Sequence, residues 1–307
     1  MSIVCVGELL IDFISQDIGN NIANSNIFLK KAGGAPANVS AVLSRLGQEA
    51  LFCGKVGTDP FGDFLEKSLL KHMVNTSLLI KDKNVATTLA FVSLENDGQR
   101  DFSFVRGADA NLEFSELNKK ELEKANVFHF GSATGFLNGS LKECYRLLLE
   151  KALKENKFIS FDPNYRSAFW KDKEELFIEE ILYFIKHADF LKLSDEEFEI
   201  ICKTDDVKKG LAYLHKLGAK LIAITMGSKG TCISNGNEIA MIESIKVEAI
   251  DTTGAGDAFV GAVLHHFLVN KLNLKDFNLV KDCVREANKI AALVCTKLGA
   301  MEALDVI

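Results

Sequence analysis

A glycine-rich turn late in the chain carries the strongest chemical signal. Residues 251–257 read Asp-Thr-Thr-Gly-Ala-Gly-Asp, and the apolar run that follows is typical of a turn opening into a buried helix. The first amides of a helix have no partner inside it and carry the positive end of its dipole, so they bind anions. Because a bound phosphate would repel Asp257, we interpret this carboxylate as a general base beside amides that hold a phosphoryl group. The alternative is a core helix that Asp257 simply caps.

A second glycine corner lies early in the chain. Gly33 and Gly34 precede a proline at a predicted helix start, where the missing N–H costs little, and Asn38 falls in the first turn. Bare glycine amides and an Asn side chain suit a polyhydroxylated ligand, whose hydroxyls need both donors and acceptors. Asp12, at the end of the first apolar run, can accept two neighbouring sugar hydroxyls. The alternatives are a plain turn with local capping by Asn38 and a solvated Asp12.

Polar residues follow three later strand-like runs. Asn164 and Arg166 come directly after one of them, and Arg166 is suited to a substrate carboxylate or an ATP phosphate, although Asp-Pro-Asn is also a common turn composition. Ser194 and Glu197 have the spacing of a capping box, but Glu197 is equally suited to hold hydrated Mg²⁺ through water. Residues 225–230 link two runs and can form a nucleotide-facing loop.

Composition and missing motifs disfavour several classes of protein. The 307 residues carry a net charge of −6 without a Lys/Arg block, which disfavours a nucleic-acid partner. The seven cysteines lack metal-ligand spacing, so we expect no zinc site and reduced core residues of a cytoplasmic protein. No run is long and apolar enough to span a bilayer, and no signal peptide is visible. P-loop, dinucleotide-binding and nucleophile-elbow patterns are absent.

Short apolar runs alternate with longer amphipathic ones along the chain. This pattern predicts a mostly parallel sheet covered by helices on both faces, with the site at the carboxyl ends of the strands. Predicted strands cover residues 3–6, 51–56, 127–131, 158–162, 190–193, 221–225 and 230–234. Predicted helices cover residues 37–46, 61–73, 141–155, 173–187, 196–202, 207–217, 258–269 and 279–298.

Two segments, residues about 12–32 and 85–107, break this alternation. The second has two β-rich runs around Asp97-Gly98, which is a hairpin signal, and the first is extended and irregular. We predict that both form a small β-sheet lid over the site; the alternative is an edge hairpin of the main sheet. No linker or repeat is visible, so residues 1–307 are predicted to form a single domain with this lid. An open lid edge is usually covered, which favours a homodimer through the lids.

Together these residues resemble the ribokinase-like, or pfkB, family of carbohydrate kinases over essentially the whole chain. The segment from Gly33 to Asn38 is similar to the family's N-terminal signature, and residues 251–257 are similar to its C-terminal one. The resemblance implies a three-layer α/β/α sandwich with a β lid, and ATP-dependent phosphorylation of a sugar hydroxyl with Asp257 as base. The implied anion-hole amides are those of Gly254, Ala255 and Gly256. The implied sugar ligands are Asp12, Gly33, Gly34 and Asn38.

The resemblance also implies positions for the nucleotide and the metals. Glu197 would join the Mg²⁺ network through water, although Ser194 replaces the family's usual Asn at the start of that motif. Asp251 and Thr253, with the stretch at 299–300, match the region where many members bind K⁺. The residues implied for the ATP site are Lys192, Thr225, Gly227, Gly230, Ala287 and Asn288.

Within the family, the motifs look most like those of fructokinases. Ribokinases and phosphosugar kinases tend to have a basic residue where this chain has Ala35, so a neutral hexose is favoured. The nearest rival is a 2-keto-3-deoxygluconate kinase, whose substrate carboxylate Arg106 and Arg166 would clamp. Phe104 offers a lid contact without a phenolic hydroxyl, and Asn164 completes the predicted sugar contacts. A catalytically silent sugar or nucleotide sensor is the non-enzyme alternative, which an intact base argues against.

Overall fold

Short buried runs of apolar residues form the strands. The computed structural model describes residues 1–17, 19–94, 100–271 and 273–307. Every residue of the first strand is buried, as a central strand between two helix layers requires. The strands are β1 (Ser2–Val6), β2 (Leu10–Ser15), β3 (Phe28–Gly33), β4 (Glu49–Gly57), β5 (Asn75–Asp82), β6 (Leu89–Leu94), β7 (Arg100–Val105), β8 (Val127–Phe130), β9 (Phe158–Phe161), β10 (Phe190–Ser194), β11 (Leu221–Thr225), β12 (Thr231–Ser234) and β13 (Ile239–Ile242).

The large sheet has the strand order β13-β12-β11-β10-β9-β8-β1-β4-β5. All neighbours from β11 to β5 pair in parallel, and β12 pairs antiparallel with both β11 and β13. This confirms the predicted mostly parallel sheet and brings the carboxyl ends of its central strands to one edge. The prediction missed β5 and β13, because both are edge strands of only partial burial.

Helices cover both faces of the large sheet, as predicted. They are α1 (Ala35–Arg45), α2 (Pro60–Lys71), α3 (Lys119–Lys124), α4 (Ser140–Lys154), α5 (Ser167–Trp170), α6 (Glu174–His187), α7 (Asp195–Cys202), α8 (Val207–Leu217), α9 (Ala255–Val269) and α10 (Phe277–Val294). Val4 and Val6 of β1 join the core beneath α4, α6, α7 and α8, whereas Ile3 and Cys5 join the core beneath α1, α9 and α10. Helix α9 starts three residues earlier than predicted, so Asp257 lies in its first turn.

The small sheet has the strand order β3-β2-β6-β7. Strands β6 and β7 pair antiparallel, and β2 pairs in parallel with β6, which joins the two predicted irregular segments. The hairpin therefore belongs to this second sheet and not to an edge of the large one. The predicted turn at Asp97-Gly98 lies outside the described residues. The action of the small sheet as a lid stays a prediction.

Two expectations from composition concern membranes and thiols. In the described ranges, no helix combines the length and the apolar character that crossing a bilayer requires. The seven cysteines are free thiols, and most of them are buried, as expected for reduced core residues. The cytoplasmic location itself stays a prediction.

Candidate active site

The two glycine corners of the sequence meet in the structure. Helix α1 begins directly after Gly34, and helix α9 begins directly after Gly254. From the first turn of α1, Asn38 donates a 2.8 Å hydrogen bond through Nδ2 to Oδ2 of Asp257, a residue 219 positions later in the chain. The polar starts of the two helices therefore face the same space.

That space is a cleft of about 800 Å³ between the two sheets. Its floor lies at the carboxyl ends of β9 and β10, and side chains of β6 and β7 line its opposite wall. A cavity of this size is typical of small-molecule sites. The predicted site residues that line it are Asp12, Gly34, Asn38, Phe104, Asn164, Arg166, Lys192, Glu197, Thr253, Gly254, Gly256 and Asp257.

Helix α9 starts with bare amides, as an anion site requires. Gly254 has a φ of 79°, and a Cβ there would overlap a neighbouring loop, so the turn needs glycine. The amides of Gly254, Gly256 and Asp257 donate no hydrogen bond within the described part of the chain. The Ala255 amide departs from the prediction, because it donates to the carbonyl of Thr252 at 3.2 Å. The remaining bare amides carry the positive end of the helix dipole.

Asp257 has the electrostatic setting of a base. Burial raises its pKa above the ordinary value for aspartate, and the hydrogen bond from Asn38 and the cations of Arg166 and Lys192 offset part of that rise. A carboxylate with a raised pKa is a stronger proton acceptor once ionised. The bare amides and the cations around it are suited to anionic phosphate.

Asp12 projects from β2 into the same cleft. Its carboxylate lies over Gly33, where a Cβ would overlap it, so Gly33 makes room for Asp12 but does not itself line the cleft. Burial and then repulsion from Glu8 raise the pKa of Asp12 to about 7, although Arg166 opposes the shift. Within the described residues the Asp12 side chain makes no hydrogen bond, so both oxygens can accept hydroxyls from a ligand.

Asn38 has one polar atom left over. The residue is 7% exposed, and its Oδ1 is buried without a hydrogen-bond donor among the described residues. An unsatisfied buried acceptor costs about 1–3 kcal/mol. Oδ1 is shielded from the cleft, and the Asn38 group that contacts Asp257 is Nδ2.

Lys192 of β10 is buried between two carboxylates at the floor of the cleft. Its Nζ lies 3.0 Å from Oδ2 of Asp162 and 3.8 Å from Oε2 of Glu197. Burial opposes the charge, but the two carboxylates raise the pKa of Lys192, which therefore stays protonated. Burial raises the pKa of Asp162 to about 7 despite this cation. The ammonium also lies 3.4 Å from the place of a Cβ on Gly256, so it adds positive charge beside the bare amides.

Glu197 forms the capping box that its spacing with Ser194 indicated. Oγ of Ser194 accepts from the Glu197 amide at 3.1 Å, and Oε2 of Glu197 accepts from the Ser194 amide at 2.7 Å. Oε1 accepts from the Tyr165 amide at 2.7 Å. The carboxylate still lines the cleft, and its magnesium role stays a prediction. Sequence reasoning missed Glu196, an exposed carboxylate that lines the cleft beside it; adjacency to Glu197 was the available signal.

Asn164 and Arg166 lie at the end of β9 and both line the cleft. Asn164 adopts a positive φ of 50°, which Asn tolerates well, and its Nδ2 donates to the carbonyl of Gly131 at 2.6 Å. It thereby joins the loops that follow β8 and β9. Arg166 is exposed, and its Nη1 donates to the carbonyl of its neighbour Tyr165 at 2.9 Å. Its guanidinium is suited to an anionic group of a ligand.

Comparison with known proteins decides the family. The family model described as "pfkB family carbohydrate kinase" matches residues 1–307. The chain belongs to the pfkB family of carbohydrate kinases. A "Probable fructokinase-2" from Arabidopsis thaliana is 37% identical to this pfkB kinase over 306 residues, which cover 98% of this chain and 92% of the plant protein.

Solved structures of fructokinases share the fold of this pfkB kinase. A fructokinase with bound ATP from Xylella fastidiosa is 30% identical, with a TM-score of 0.88 over 98% of this chain and 94% of that one. A double mutant of the fructokinase from Vibrio cholerae O395, in a form with fructose, ADP and potassium ion bound, is 30% identical, with a TM-score of 0.87 over 99% and 94%. The resemblance drawn from the motifs, and with it the prediction of a carbohydrate kinase, is confirmed.

Two residues that the resemblance implied for the ATP site lie in the interior of this pfkB kinase. Ala287 is fully buried in the core beneath α10. Asn288 accepts from Oγ1 of Thr231 at 2.7 Å and donates to the carbonyl of Ile242 at 3.1 Å. Asn288 therefore fastens α10 to β12 and β13, and in this structure neither residue reaches the cleft. Their partners come from distant segments, so the sequence did not show this packing.

The loop after β11 lies at the carboxyl edge of the sheet, next to the cleft. Thr225 pairs with Ser194 in the strand register, and its Oγ1 donates to the carbonyl of Leu193 at 3.2 Å. Gly227 and Gly230 adopt φ values of 56° and 97°, which glycine accommodates. These three predicted nucleotide residues do not line the cleft as described, and their contact with ATP stays a prediction.

Arg106 departs from the predicted position. Its guanidinium donates to Oδ2 of Asp109 at 3.3 Å and to the carbonyls of Asn138 and Thr134 at 2.6 and 3.1 Å. These contacts hold it outside the cleft lining and fasten the end of β7 to the main body of the protein. In this structure Arg106 is thus a bracing residue and not a clamp for a substrate carboxylate.

The carboxylate of Asp251 joins the two segments that the resemblance implied for potassium. It accepts from the amides of Thr253 and Gly299, each at 2.9 Å. This fixes the loop before α9 against the chain near residue 299. Carboxylate and backbone oxygens are the donors that alkali cations prefer, and K⁺ binding at this place stays a prediction.

An aromatic contact across the cleft was missed by sequence reasoning. Phe169 of α5 packs edge-on against Phe104 and Phe102 of the small sheet, with ring centroids 4.8 and 5.7 Å apart. All three rings line the cleft, so they form an apolar wall between the two sheets. A lone Phe in a short turn gives no periodic signal, and only the meeting of the two sheets gives Phe169 this place.

Proposed function

We propose that this chain is an ATP-dependent fructokinase, which transfers the γ-phosphoryl group of ATP to the 6-hydroxyl of fructose. The observation that carries the proposal is the position of Asp257, which lies among bare helix-start amides and contacts Asn38 of the early corner. The fructokinases among its relatives, one of them with fructose and ADP bound, support the choice of sugar.

The sugar is held by acceptors that the protein leaves without partners. The two oxygens of Asp12 accept no hydrogen bond from the described residues, and Asp12 lines the same cleft as Asp257. Hydroxyl donors to a carboxylate form strong, charge-assisted hydrogen bonds. Neighbouring hydroxyls of one sugar satisfy these acceptors, which places a terminal hydroxyl beside Asp257.

Transfer then needs a base and a place for negative charge. Asp257 accepts the proton of the sugar hydroxyl while the hydroxyl oxygen attacks the γ-phosphorus of ATP. The bond between that phosphorus and the β–γ bridging oxygen breaks, and ADP leaves. The amides of Gly254 and Gly256 and the ammonium of Lys192 stabilise the charge on the transferred group. Mg²⁺ would supply further charge neutralisation at the phosphates. The carboxylates of Glu196 and Glu197 fit a hydrated ion of this kind, since both line the cleft.

The site favours a neutral sugar over an acid one. A 2-keto-3-deoxygluconate kinase must bind a carboxylate, and Arg106, one of the two arginines predicted to do so, is held outside the cleft lining. The apolar wall of Phe102, Phe104 and Phe169 offers no donor to an acid group. Arg166 remains as a partner for a substrate carboxylate, but its guanidinium is equally suited to the phosphates of ATP.

A coupled assay of ADP release across fructose, ribose and 2-keto-3-deoxygluconate tests the proposed function. We expect fructose to give by far the highest kcat/KM and to depend on Mg²⁺. A preference for 2-keto-3-deoxygluconate would contradict fructose as the substrate but support the same phosphoryl transfer from ATP. Sugar binding without ADP release would contradict an enzyme and favour the sensor.

Asp12 offers a prediction about sugar affinity and its pH dependence. We expect Asp12→Asn to raise the KM for fructose about 10- to 100-fold, because hydrogen bonds to a charged group contribute about 1.5–3 kcal/mol. The KM for ATP serves as the internal control and should stay unchanged. Because the pKa of Asp12 is raised to about 7, the wild-type KM for fructose should rise as pH falls below that value. If the Asn variant loses this pH dependence of the KM, the titrating group is Asp12. If the variant keeps the pH dependence, another group titrates and the assignment is contradicted.

The remaining predictions concern organisation. We propose that the small sheet acts as a lid of a single domain, that K⁺ binds near Asp251, and that the enzyme works in the reducing cytoplasm. Exposed apolar side chains at Ile27, Leu29 and Val105 support a homodimer through the lids. Sedimentation velocity measures this state, and a fully active monomer would contradict the dimer.

A further inference from the structure

Glu8 is a buried carboxylate for which the proposed reaction has no use. It lies between β1 and β2, is 2% exposed, and lines the cleft. In the described part of the chain no basic side chain forms an ion pair with it, and it interacts electrostatically with two further carboxylates, Asp12 and Asp109. Burying a carboxylate without a cation costs free energy, so the hydrogen bonds that Glu8 accepts must offset that cost.

Both oxygens of Glu8 accept hydrogen bonds from segments far apart in the chain. Oε1 accepts from the amide of Ala35, the first residue of α1, at 3.0 Å. Oε2 accepts from the hydroxyl of Ser132, in the loop after β8. The amide of Ser132 donates to the Tyr145 hydroxyl at 3.0 Å, which in turn donates to the carbonyl of Val6 at 2.6 Å. Glu8 therefore ties the start of α1 to a fixed part of the sheet edge.

The backbone around Glu8 is packed without room for adjustment. Gly7 has a φ of 145°, and a Cβ there would lie 2.7 Å from Cγ of Pro36 and close to Ser132. A Cβ on Gly34 would overlap the carbonyl of Glu8 itself. These glycines bring three chain segments into direct contact, and Glu8 is the polar side chain that bridges them.

We propose that Glu8 is a positioning residue for the sugar site. By holding the Ala35 amide it sets the start of α1, and α1 carries Asn38 one turn later, where the Asn38 amide bonds to the Gly34 carbonyl at 2.9 Å. Asn38 is thereby aimed at Asp257, the proposed base that the sugar hydroxyl must reach. Its role in turnover rests on the proposed function, whereas its hold on α1 does not.

Three substitutions of Glu8 distinguish the effect of its side-chain length from the effect of its charge. Glu8→Ala loses both contacts, and we expect the KM for fructose to rise at least tenfold with a smaller change for ATP, because a misplacement of about 1 Å can cost about 10²-fold. Glu8→Gln should behave almost as wild type, since its carbonyl accepts from Ala35 and its NH₂ donates to Ser132. The Ser132 hydroxyl can then turn to Oγ1 of Thr134, 3.2 Å away. Glu8→Asp keeps the charge but is one methylene too short, so it should resemble Ala.

A matched control separates positioning from general loss of stability. Leu43 lies on α1 in the core and is fully buried. Leu43→Ala should therefore lower the Tm, but it should not raise the KM for fructose by a larger factor than the KM for ATP. A wild-type KM in Glu8→Ala, or an equal defect in Glu8→Gln, would overturn the proposal.

Hydrogen exchange tests the same idea without any turnover. We expect the amides of Gly34, Ala35, Ala37 and Asn38 to exchange faster in Glu8→Ala than in wild type, Glu8→Gln or Leu43→Ala. If the wild type does not phosphorylate fructose, the proposed function fails, and this exchange pattern still decides the role of Glu8. Unchanged exchange at these amides in Glu8→Ala would refute it.

Discussion

Asp257→Asn should bind fructose and ATP with nearly normal affinity and lose nearly all turnover. Asn has the size of Asp but cannot accept the proton of the sugar hydroxyl, and general-base catalysis contributes about 10²–10⁴-fold. Because burial raises the pKa of Asp257, the ionised side chain opposes folding at neutral pH, so the neutral variant should be at least as stable. Steady-state kinetics and calorimetric titration of both ligands measure the effect.

Asp206→Asn is the matched control for this experiment. Asp206 caps α8 through hydrogen bonds to the amides of Lys208 and Lys209, and Asn is an equally good cap, so this variant should keep wild-type turnover. Near-normal turnover in Asp257→Asn would remove this residue from the mechanism. Loss of both binding and turnover would instead indicate a damaged site.

Lys192→Met should cost both stability and activity. It leaves Asp162 and Glu197 buried without their cation, and breaking a buried ion pair typically lowers the free energy of unfolding by about 3–5 kcal/mol. Burial raises the pKa of Asp162 even beside the cation, so without Lys192 the side chain is readily neutral at low pH but is a costly unpaired charge at high pH. The loss should therefore be smaller at pH 5 than at pH 8, as measured by urea denaturation. Turnover should fall about 10²-fold, the size typical of one lost charge-stabilising donor.

Two further variants decide why Lys192 matters. The double variant Lys192→Met/Asp162→Asn removes one unpaired carboxylate, so it should recover part of the stability without recovering turnover. Lys220→Met breaks the exposed ion pair with Asp189, and such pairs contribute at most about 1 kcal/mol. Restored turnover in the double variant would contradict a direct role of the ammonium at the phosphates. A stability loss in Lys220→Met as large as that in Lys192→Met would contradict the effect of burial.

Features that depend on neighbours in the chain were predictable from the sequence. The glycine turn at 254 and the presence of a helix after it follow from local backbone geometry, although α9 begins three residues earlier than predicted. The alternation of apolar runs follows from the burial of strands between helices. The capping box of Ser194 and Glu197 is also local, since its two hydrogen bonds join residues three apart. Asn38 and Asp257 were each identified from their own motif, and the family resemblance paired them.

Features that depend on partners from distant segments were decided by the tertiary structure. The family resemblance implied that Asn288 contacts ATP, and Arg106 was predicted to contact the substrate. Each instead makes its hydrogen bonds with protein groups from other elements. Glu8 and Phe169 had no assigned role until the loop after β8 and the small sheet supplied their contacts. Local patterns indicate which buried segments form helices and strands, because those depend on nearby backbone. A donor or acceptor remains available to a substrate only if folding brings no protein partner within about 3 Å of it. Those partners come from distant segments, so they are known only from the folded chain.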